Sequence, residues 1–276
     1  MRLHVGCAQW THPAWPQPPR AKLASYASWV NAVESNTTFY GIPARSSVES
    51  WAAQTPPDFR FVVKLPQIIT HERRLNDIAA PFHAFAAAVE PLGLRNHAMW
   101  VQLPASFAPA DLGILDAFLR GAPREHRYAV EVRHRAFFDD PRAAAALEQL
   151  LLRAGAEWVP FDTLTLFGQP ATSLAERDAW MKKPRVGRRT VALTGAPIVR
   201  YIGRDSVPET VAGWEYLVEL VVGWLGEGRS PTIFLHTPDN VEALNLARRF
   251  HAAVRELVPT LGTLPEPVSV EPPTLF

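Results

Sequence analysis

Residues 59–65, FRFVVKL, show the sequence pattern from which we predict the fold. It is a short apolar run with a charged side chain, Lys64, near its C-terminal end, and an amphipathic helical stretch follows it. The same pattern recurs about every thirty residues between Gly6 and His236, which is the spacing of a (β/α)8 barrel. The sequence therefore predicts an α/β protein with the (β/α)8 TIM-barrel fold.

Eight apolar runs of this kind predict the strands of the barrel. Several are dense in Val, Ile and Phe, as expected of parallel strands that are covered on both faces. In chain order they are 3–7, 32–36, 59–65, 99–103, 128–133, 157–161, 198–202 and 232–236. The stretches between most of them carry apolar residues at i, i+3, i+4 and i+7, which predicts helices.

The length and composition predict one domain. A chain of 276 residues with 47% hydrophobic residues can bury a complete core. We expect the barrel over residues 1–258 and a proline-rich tail over 259–276. Between residues 162 and 196 the helical periodicity lapses, so we predict a long irregular insertion after strand six.

Charge and cysteine content favour a cytoplasmic protein without a membrane partner. The formal net charge is +1 and gives no overall attraction to nucleic acid or anionic membranes. There is no export signal or long uncharged apolar segment, and the single cysteine agrees with a reducing compartment. The oligomeric state is left open.

Polar residues at the predicted strand ends indicate a site. Residues two apart on a strand share a face, and active sites of this fold form at the C-terminal ends of the strands. We assign the following side chains to the interior: Glu34, Asn36, Lys64, Gln102, Glu131, Arg133, Asp162, Arg200 and His236.

These charges have a structural interpretation and a functional one. Glu131 with Arg133, or Lys64 with Glu34, could be ion pairs that only satisfy each other. Burying several charges costs free energy, however, and apolar filling of the same volume would often be as stable. We therefore favour a ligand site or an active site.

The residue types suit acid/base chemistry on an anion. Glu131 and Lys64 are the candidate proton-transfer groups, and His71 begins a predicted loop where an acid or base could sit. Arg133 and Arg200 could hold a carboxylate or phosphate, while Gln102 and Asn36 could bind hydroxyl groups. We expect Tyr40 and His134 to complete the substrate-binding set.

Cofactor motifs are absent from the sequence. His71, Glu131, His134, Asp162 and His236 are types that bind metals, but no HExxH pattern makes them a specific site, so no metal ligands are assigned and a divalent ion stays an alternative. No GxGxxG or GxxxxGK[ST] run is present, so no nucleotide cofactor is predicted.

A basic loop at 177–189 suggests a second possible function, the binding of nucleic acid. Its cations surround Trp180 and could grip a phosphate backbone, although a solvated charged loop is the simpler interpretation in a chain that is not basic overall. The hypotheses are an acid/base enzyme acting on a small, for example phosphorylated, anion, a metal-dependent phosphodiesterase (a hydrolase) acting on nucleic acid, and a non-catalytic metabolite-binding protein.

Several blocks together resemble the YecE-like family, a set of TIM-barrel proteins classed as a domain of unknown function. The blocks are VESNTTFY at 33–40, FRFVVK at 59–64, THERRL at 70–75, QLP at 102–104 and VEVRH at 130–134. The resemblance implies the barrel fold and a pocket, but no established activity. The implied pocket residues are Glu34, Asn36, Lys64, His71, Gln102, Glu131 and Arg133.

Overall fold

The computed structural model describes residues 2–16 and 22–267, and in this part of the chain all paired strands lie parallel in one sheet. The strand order is β6-β5-β4-β3-β2-β1-β9-β8-β7. The strands are β1 His4–Cys7, β2 Ala32–Ser35, β3 Arg60–Lys64, β4 Asn96–Gln102, β5 Tyr128–Glu131, β6 Glu157–Trp158, β7 Phe161–Asp162, β8 Ile198–Ile202 and β9 Thr232–His236.

Helices connect the strands and cover one face of the sheet. The α-helices are α1 Lys22–Ala27, α2 Thr37–Tyr40, α3 Arg45–Ala53, α4 Ala79–Val89, α5 Leu112–Gly121, α6 Ala136–Asp139, α7 Pro141–Ala154, α8 Leu164–Phe167, α9 Leu174–Lys182, α10 Val207–Gly213, α11 Glu215–Gly226 and α12 Ala243–Leu257. Helix α7 begins where Asp140 accepts a hydrogen bond from the backbone N–H of Arg142 at 2.8 Å. It ends at Gly155, whose φ of 64° is the left-handed conformation that suits glycine.

The sheet has an outer face against the helices and a curled inner face. On β3, Phe61 and Val63 belong to the large core shared with the helices, while Val62 belongs to a separate small core. In that small core Trp100 of β4 and Phe234 of β9 stack with ring centroids 6.1 Å apart, although three strands lie between them. The sheet therefore curls strongly about this inner face.

Strand six differs from its prediction, because the run 157–161 is divided. Strand β6 pairs with β5, and β7 pairs with β8, so the two segments form opposite edges of the sheet order. Val159 and Pro160 lie between them, and proline has no N–H to donate to a neighbouring strand. The structure thus has an α/β fold with a curled parallel sheet.

Gly6 lets β1 and β2 approach closely. A Cβ placed on Gly6 would lie 1.9 Å from the carbonyl oxygen of Ala32, which no side chain can tolerate. Beside this contact the Tyr26 hydroxyl accepts from the N–H of Cys7 at 2.7 Å and donates to the same Ala32 oxygen at 2.8 Å. A glycine is therefore required at this position of β1.

The segment 162–196 is more ordered than its sequence suggests. It contains α8 and α9, and within the basic loop the arginines pack on aromatic rings. The Arg185 guanidinium lies 4.5 Å from the Phe167 ring centroid, and that of Arg189 lies 4.1 Å from the Trp158 ring. These cation–π contacts hold the segment against the rest of the fold.

The described part of the tail packs on the helices. Leu261 and Leu264 are buried members of the outer core, and residues 268–276 of the predicted tail lie outside the described residues. Among the described helices, none combines the length and the apolar character that a bilayer crossing requires.

Candidate functional site

Glu34 is the centre of an ion-pair network on the inner face. Its Oε1 lies 2.7 Å from Nζ of Lys64, the last residue of β3, and its Oε2 lies 3.1 Å from Nε of Arg200 on β8. All three side chains are nearly inaccessible to solvent. The predicted pairing of Lys64 with Glu34 is therefore present, and Arg200 joins it.

Lys64 is held by further contacts. Its Nζ donates to Oε1 of Gln102 at 2.9 Å and lies 5.1 Å from the centroid of the Trp100 ring. Burial lowers the pKa of Lys64 to about 8, although Glu34 works in the opposite direction. The ammonium form is thus the main form at neutral pH, with a proton that is easier to release than that of an exposed lysine.

Glu131 forms the second pair of the site. It is the last residue of β5, and its Oε1 accepts from Nε of Arg133 at 2.6 Å. Burial disfavours the charged form of Glu131, but Arg133, Lys64 and Arg200 outweigh burial and lower its pKa. Its other oxygen, Oε2, is buried and has no hydrogen-bond partner among the described residues. The carboxylate is therefore ionised, with one oxygen available to a ligand.

Lys183 reaches the same site from the basic loop. Its Nζ lies 5.9 Å from the centroid of the Phe161 ring, which the guanidinium groups of Arg133 and Arg200 also approach at 5.2 and 5.1 Å. Burial lowers the pKa of Lys183 to about 7, with Arg200 and Arg133 acting in the same direction. Sequence reasoning grouped Lys183 with a solvated loop and missed it, because nothing in the spacing places residue 183 over the sheet.

His236 completes the site at the end of β9. Burial, followed by the charges of Lys183 and Arg200, lowers the pKa of His236 well below its ordinary value, so the imidazole is neutral. Its Nδ1 is buried and lacks a hydrogen-bond partner among the described residues. Two buried polar atoms, this nitrogen and Glu131 Oε2, are thus unsatisfied, and buried polar groups in folded proteins usually have partners.

His71 lies on a π-helical turn, Ile68–Glu72, beside this site. Its Nδ1 is 2.9 Å from Oγ1 of Thr70, and its ring packs edge-on to Phe39 at 5.0 Å. Burial and then Arg133 lower the pKa of His71. The turn is followed by positive φ at Arg74, Leu75 and Asp77, and both π-turns and such strained residues are frequent near functional sites.

Three other predicted residues lie at the rim, outside the ion-pair network. Asn36 donates from Nδ2 to the carbonyl oxygen of Ala8 at 2.5 Å. His134 accepts at Nδ1 from the N–H of Ala136 at 3.2 Å, where α6 begins. Tyr40 is 76% exposed, with its ring against Phe39. Asn36 and His134 therefore contact backbone groups, whereas Tyr40 lies open on the surface.

The predicted interior position of Asp162 is wrong. Asp162 pairs in register with Tyr201, which faces the helices, whereas the preceding Phe161 pairs with Arg200 of the inner face. Its carboxylate accepts a short hydrogen bond from the hydroxyl of Tyr216 on α11 and lies 3.3 Å from Nε of Arg188. The alternation of side chains turns Asp162 outward, and it anchors the basic loop instead.

We call the converging residues the inner polar cluster: Glu34, Lys64, Gln102, Glu131, Arg133, Lys183, Arg200 and His236. When both lysines are protonated it holds four cationic side chains and two carboxylates, a surplus of two positive charges. Within residues 2–16 and 22–267, no three His, Cys, Asp or Glu side chains are grouped in a way that could hold a metal ion. The cluster therefore suits an anionic ligand.

A cleft of about 1030 Å³ lies elsewhere, between α5 and α7 near the start of β5. Its lining includes Arg120, His126 and Arg153, and it shares no residue with the inner polar cluster. This cleft is therefore separate from the candidate site, which is marked by its buried, converging charges.

Comparison with known proteins gives sequence relatives over the whole fold. The family described as "Protein of unknown function DUF72" matches residues 4–269. The chain is 34% identical over 263 residues to the UPF0759 protein YecE of Escherichia coli (strain K12), which covers 95% of this chain and 96% of YecE. It is 29% identical over 153 residues to the UPF0759 protein YunF of Bacillus subtilis (strain 168), covering 50% of this chain and 53% of YunF.

Solved structures share the fold at lower sequence identity. A DUF72 family protein from Enterococcus faecalis V583 superposes with a TM-score of 0.71 at 17% identity, over 98% of this chain and 100% of that chain. A DUF72 family protein from Thermotoga maritima MSB8 gives a TM-score of 0.65 at 21% identity, over 94% of this chain and 100% of that chain. With the extent of the sequence match, these comparisons establish that the chain belongs to the DUF72 family, as its resemblance to YecE-like proteins predicted.

Proposed function

We propose that this protein is an acid/base enzyme that acts on a small polar anion, such as a phosphorylated metabolite, bound at the inner polar cluster. One observation carries the proposal. A surplus of cations converges on the inner face, and there Glu131 keeps a buried oxygen without a partner among the described residues. A bound ligand that donates a hydrogen bond would satisfy this atom.

Closure of the sheet into a (β/α)8 barrel is part of the proposal. The N–H of Val159 donates to the oxygen of Val130 at 2.8 Å, and the N–H of Arg200 donates to the oxygen of Pro160 at 3.0 Å. The two residues between β6 and β7 thus bond to strands on both sides, which supports a continuous ring. In such a barrel the cluster lies at the C-terminal end, where active sites form.

The electrostatics assign the proton-transfer roles. Glu131, with its lowered pKa, is ionised at neutral pH and acts as the general base. Lys64, with a pKa of about 8, is protonated and acts as the general acid. His71, at the edge of the cluster, is neutral and available as a second proton carrier.

Anion binding is assigned to the arginines. Arg133 and Arg200 flank the Phe161 ring and each retains guanidinium donors beyond its single carboxylate contact. A carboxylate or phosphate group of the substrate fits between them. Gln102 has its amide oxygen occupied by Lys64, and its NH2 group, which makes no hydrogen bond to another described residue, can face substrate oxygens.

Stability alone is a weak explanation of this arrangement. Glu34, Lys64 and Glu131 are fully desolvated, and buried ion pairs are often no more stabilising than apolar residues of similar volume. A layer of apolar residues such as Val62 and Phe234 lies between this cluster and a second polar group at the other end of the strands, where Arg60 donates to Thr232. The inner polar cluster lies at the C-terminal ends of the strands, where active sites of barrels form, which supports its use in binding and catalysis.

We do not extend the proposal to nucleic acid. Three arginines of the basic loop, Arg185, Arg188 and Arg189, are engaged by this chain itself. Arg189 contacts Glu148 at 2.9 Å, and Arg188 lies over the Tyr216 ring at 3.4 Å. A loop that docks on a phosphate backbone needs cations free to reach it.

A ligand screen with matched variants tests the proposal. Thermal unfolding is followed with sugar phosphates, phosphorylated organic acids and dicarboxylates, because a bound ligand raises the melting temperature by mass action. Arg133→Gln should weaken the response about tenfold or more, since it removes a charge-assisted hydrogen bond. Arg135→Gln is the control, because Arg135 is two residues away and 77% exposed.

Glu131→Gln then separates catalysis from binding. For any anion that stabilises the protein, solvent hydrogen exchange into the bound compound is followed by NMR in D2O. We expect exchange with the wild type and its loss in Glu131→Gln. A protein that no anion stabilises, or an equal response in Arg133→Gln and Arg135→Gln, overturns the proposal; binding without any exchange favours a non-catalytic binding protein.

A further inference from the structure

Two adjacent lysines, Lys182 and Lys183, have opposite surroundings. Lys182 ends α9 and forms a surface pair with Asp178 at 2.7 Å, with 71% of its side chain exposed. Lys183 is already extended, with φ −99° and ψ 139°, and its side chain turns toward the Phe161 ring. The end of the helix thus sends one amine to solvent and the next into the inner polar cluster.

The position of Lys183 is fixed from both sides. Its N–H donates to the oxygen of Ala179 at 2.9 Å, and Oγ1 of Thr163 donates to the oxygen of the following Pro184 at 3.0 Å. The indole N–H of Trp180 donates to the oxygen of Leu166 at 3.0 Å. The segment is therefore tied to the residues that follow β7, and Lys183 is held over the site.

Of the two lysines in the cluster, Lys183 has the available amine. Lys64 is engaged by Glu34, Gln102 and the Trp100 ring. Lys183, by contrast, has no carboxylate within 4.0 Å among the described residues, and its close contact is an aromatic face. An amine without a carboxylate partner, placed among cations, is in a position to lose its proton and act as a nucleophile.

We infer that Lys183 condenses with the carbonyl group of an anionic substrate, a 2-oxo acid or a phosphorylated aldehyde or ketone, and holds it as an imine. This inference rests on the proposed anion site, because Arg133 and Arg200 would hold the carboxylate or phosphate of that substrate beside Lys183. The lowered pKa of Lys183, about 7, agrees with a useful fraction of free amine at neutral pH.

The reaction balances without an oxidant or a further reactant. The nitrogen lone pair of Lys183 forms a bond to the carbonyl carbon, the carbon–oxygen π electrons move to oxygen, and that oxygen takes a proton from Lys64. The nitrogen loses a proton to Glu131, which gives a carbinolamine. The proton held by Glu131 then passes to that oxygen, which leaves as water, and the remaining proton on the nitrogen returns to Lys64, so the products are an imine and one water molecule with Glu131 and Lys64 in their starting forms.

Reductive trapping tests this inference directly. The protein is incubated with pyruvate, glyoxylate or dihydroxyacetone phosphate and sodium borohydride, and the modified peptide is identified by mass spectrometry. The whole chain has four lysines, Lys22, Lys64, Lys182 and Lys183, and fragment ions of the modified peptide distinguish Lys183 from the adjacent Lys182. We expect a stable adduct on Lys183, loss of the adduct in Lys183→Arg, and an unchanged adduct in Lys182→Arg.

A labelling profile keeps the test valid if Lys183→Arg does not fold. Wild-type protein is labelled briefly with acetic anhydride across pH 5–10, and the labelling of Lys183 should reach half of its maximum near pH 7. No adduct from any of the three compounds, or equal trapping on Lys182 and Lys183, overturns the inference. If anions still stabilise the protein in that case, the proposed acid/base function stands; if none does, both fail.

Discussion

Arg200 on β8 contacts Glu34 on β2 across the two strands that separate them, with Nε 3.1 Å from Oε2. Lys64 contacts the other oxygen of the same carboxylate at 2.7 Å. One buried carboxylate thus links two distant parts of the sheet and pairs with two cations. The network depends on Glu34 more than on either partner.

Replacement of Glu34 should therefore destabilise the fold. Glu34→Gln keeps the shape but leaves two buried cations without their carboxylate, and we expect a loss of about 3–5 kcal/mol in the free energy of unfolding. Urea denaturation at neutral pH measures it. The control is Glu49→Gln, because Glu49 pairs with Arg45 on the open surface at 3.3 Å. Equal stability of the two variants would contradict a central role for Glu34.

Buried histidines should make the protein sensitive to mild acid. Burial is the first cause that lowers the pKa of His4 to about 3, of His97 to about 2 and of His251 to about 4, from 6.5. The Nε2 of His97 lies 2.8 Å from the guanidinium of Arg127, which can only donate a hydrogen bond. Nε2 must therefore accept, and His97 is neutral. These histidines therefore stay neutral in the folded state at pH values where the unfolded chain binds protons.

The sign of the effect follows from proton binding. Below pH 6.5 the unfolded state holds more protons, so stability is fully present above that pH and falls as the pH drops toward about 4. Each histidine contributes up to about 1.4 kcal/mol per pH unit in that window. The slope of unfolding free energy against pH should fall by about that amount in His4→Asn, while the slopes above about pH 7.5 stay equal. An unchanged slope at pH 5–6 would exclude His4 as a contributor.

Two glycine substitutions should have opposite effects. Gly6→Ala places a Cβ 1.9 Å from a backbone oxygen, and we expect a loss of about 3 kcal/mol or more, or a failure to fold. Gly223→Ala lies inside α11 with nothing within 4 Å of its Cβ, and we expect a gain of about 0.5–1 kcal/mol. Thermal and urea unfolding compare both with the wild type. A well-folded Gly6→Ala protein of normal stability would show that β1 and β2 are not as close as described.

The hydroxyl of Tyr216 should control the order of the basic loop. Tyr216→Phe removes its hydrogen bond to Asp162, and with it part of the anchor shared with Arg188. We expect a loss of about 1–3 kcal/mol and faster amide hydrogen exchange in residues 183–190. Tyr128→Phe is the control, because it removes a different hydroxyl contact, to Pro123 at 3.2 Å. Equal amide hydrogen exchange in the loop of both variants would show that the Tyr216 hydroxyl does not control the order of the loop.

Much of the strand pattern could be read from the sequence, because apolar runs that end in polar residues are a local signal. The predicted runs 198–202 and 232–236 coincide with β8 and β9. In the structure the run 157–161 is divided at Val159 and Pro160, because the hydrogen-bond partner of the backbone changes there from β5 to β8. Such a change depends on tertiary contacts that residue spacing does not encode.

The site was predictable to the extent that it lies on strands. Glu34, Lys64 and Glu131 share the inner face because alternation fixes it. The prediction for Asp162 is wrong because Phe161 takes the inward position of this strand, so alternation turns the next residue outward. Lys183 was missed because its position depends on how α9 and the following segment dock, which is long-range packing.

The basic loop and the strands supply different parts of the inner polar cluster. Lys183 belongs to a segment that Trp158, Asp162 and Tyr216 hold by side-chain contacts, whereas the remainder of the inner polar cluster lies on strands or directly after them. A designer could thus exchange residues around position 183 and alter the amine that we infer to be the nucleophile, while the scaffold and its arginines stay intact. Position 183 can therefore be varied by loop design without a change in the strands.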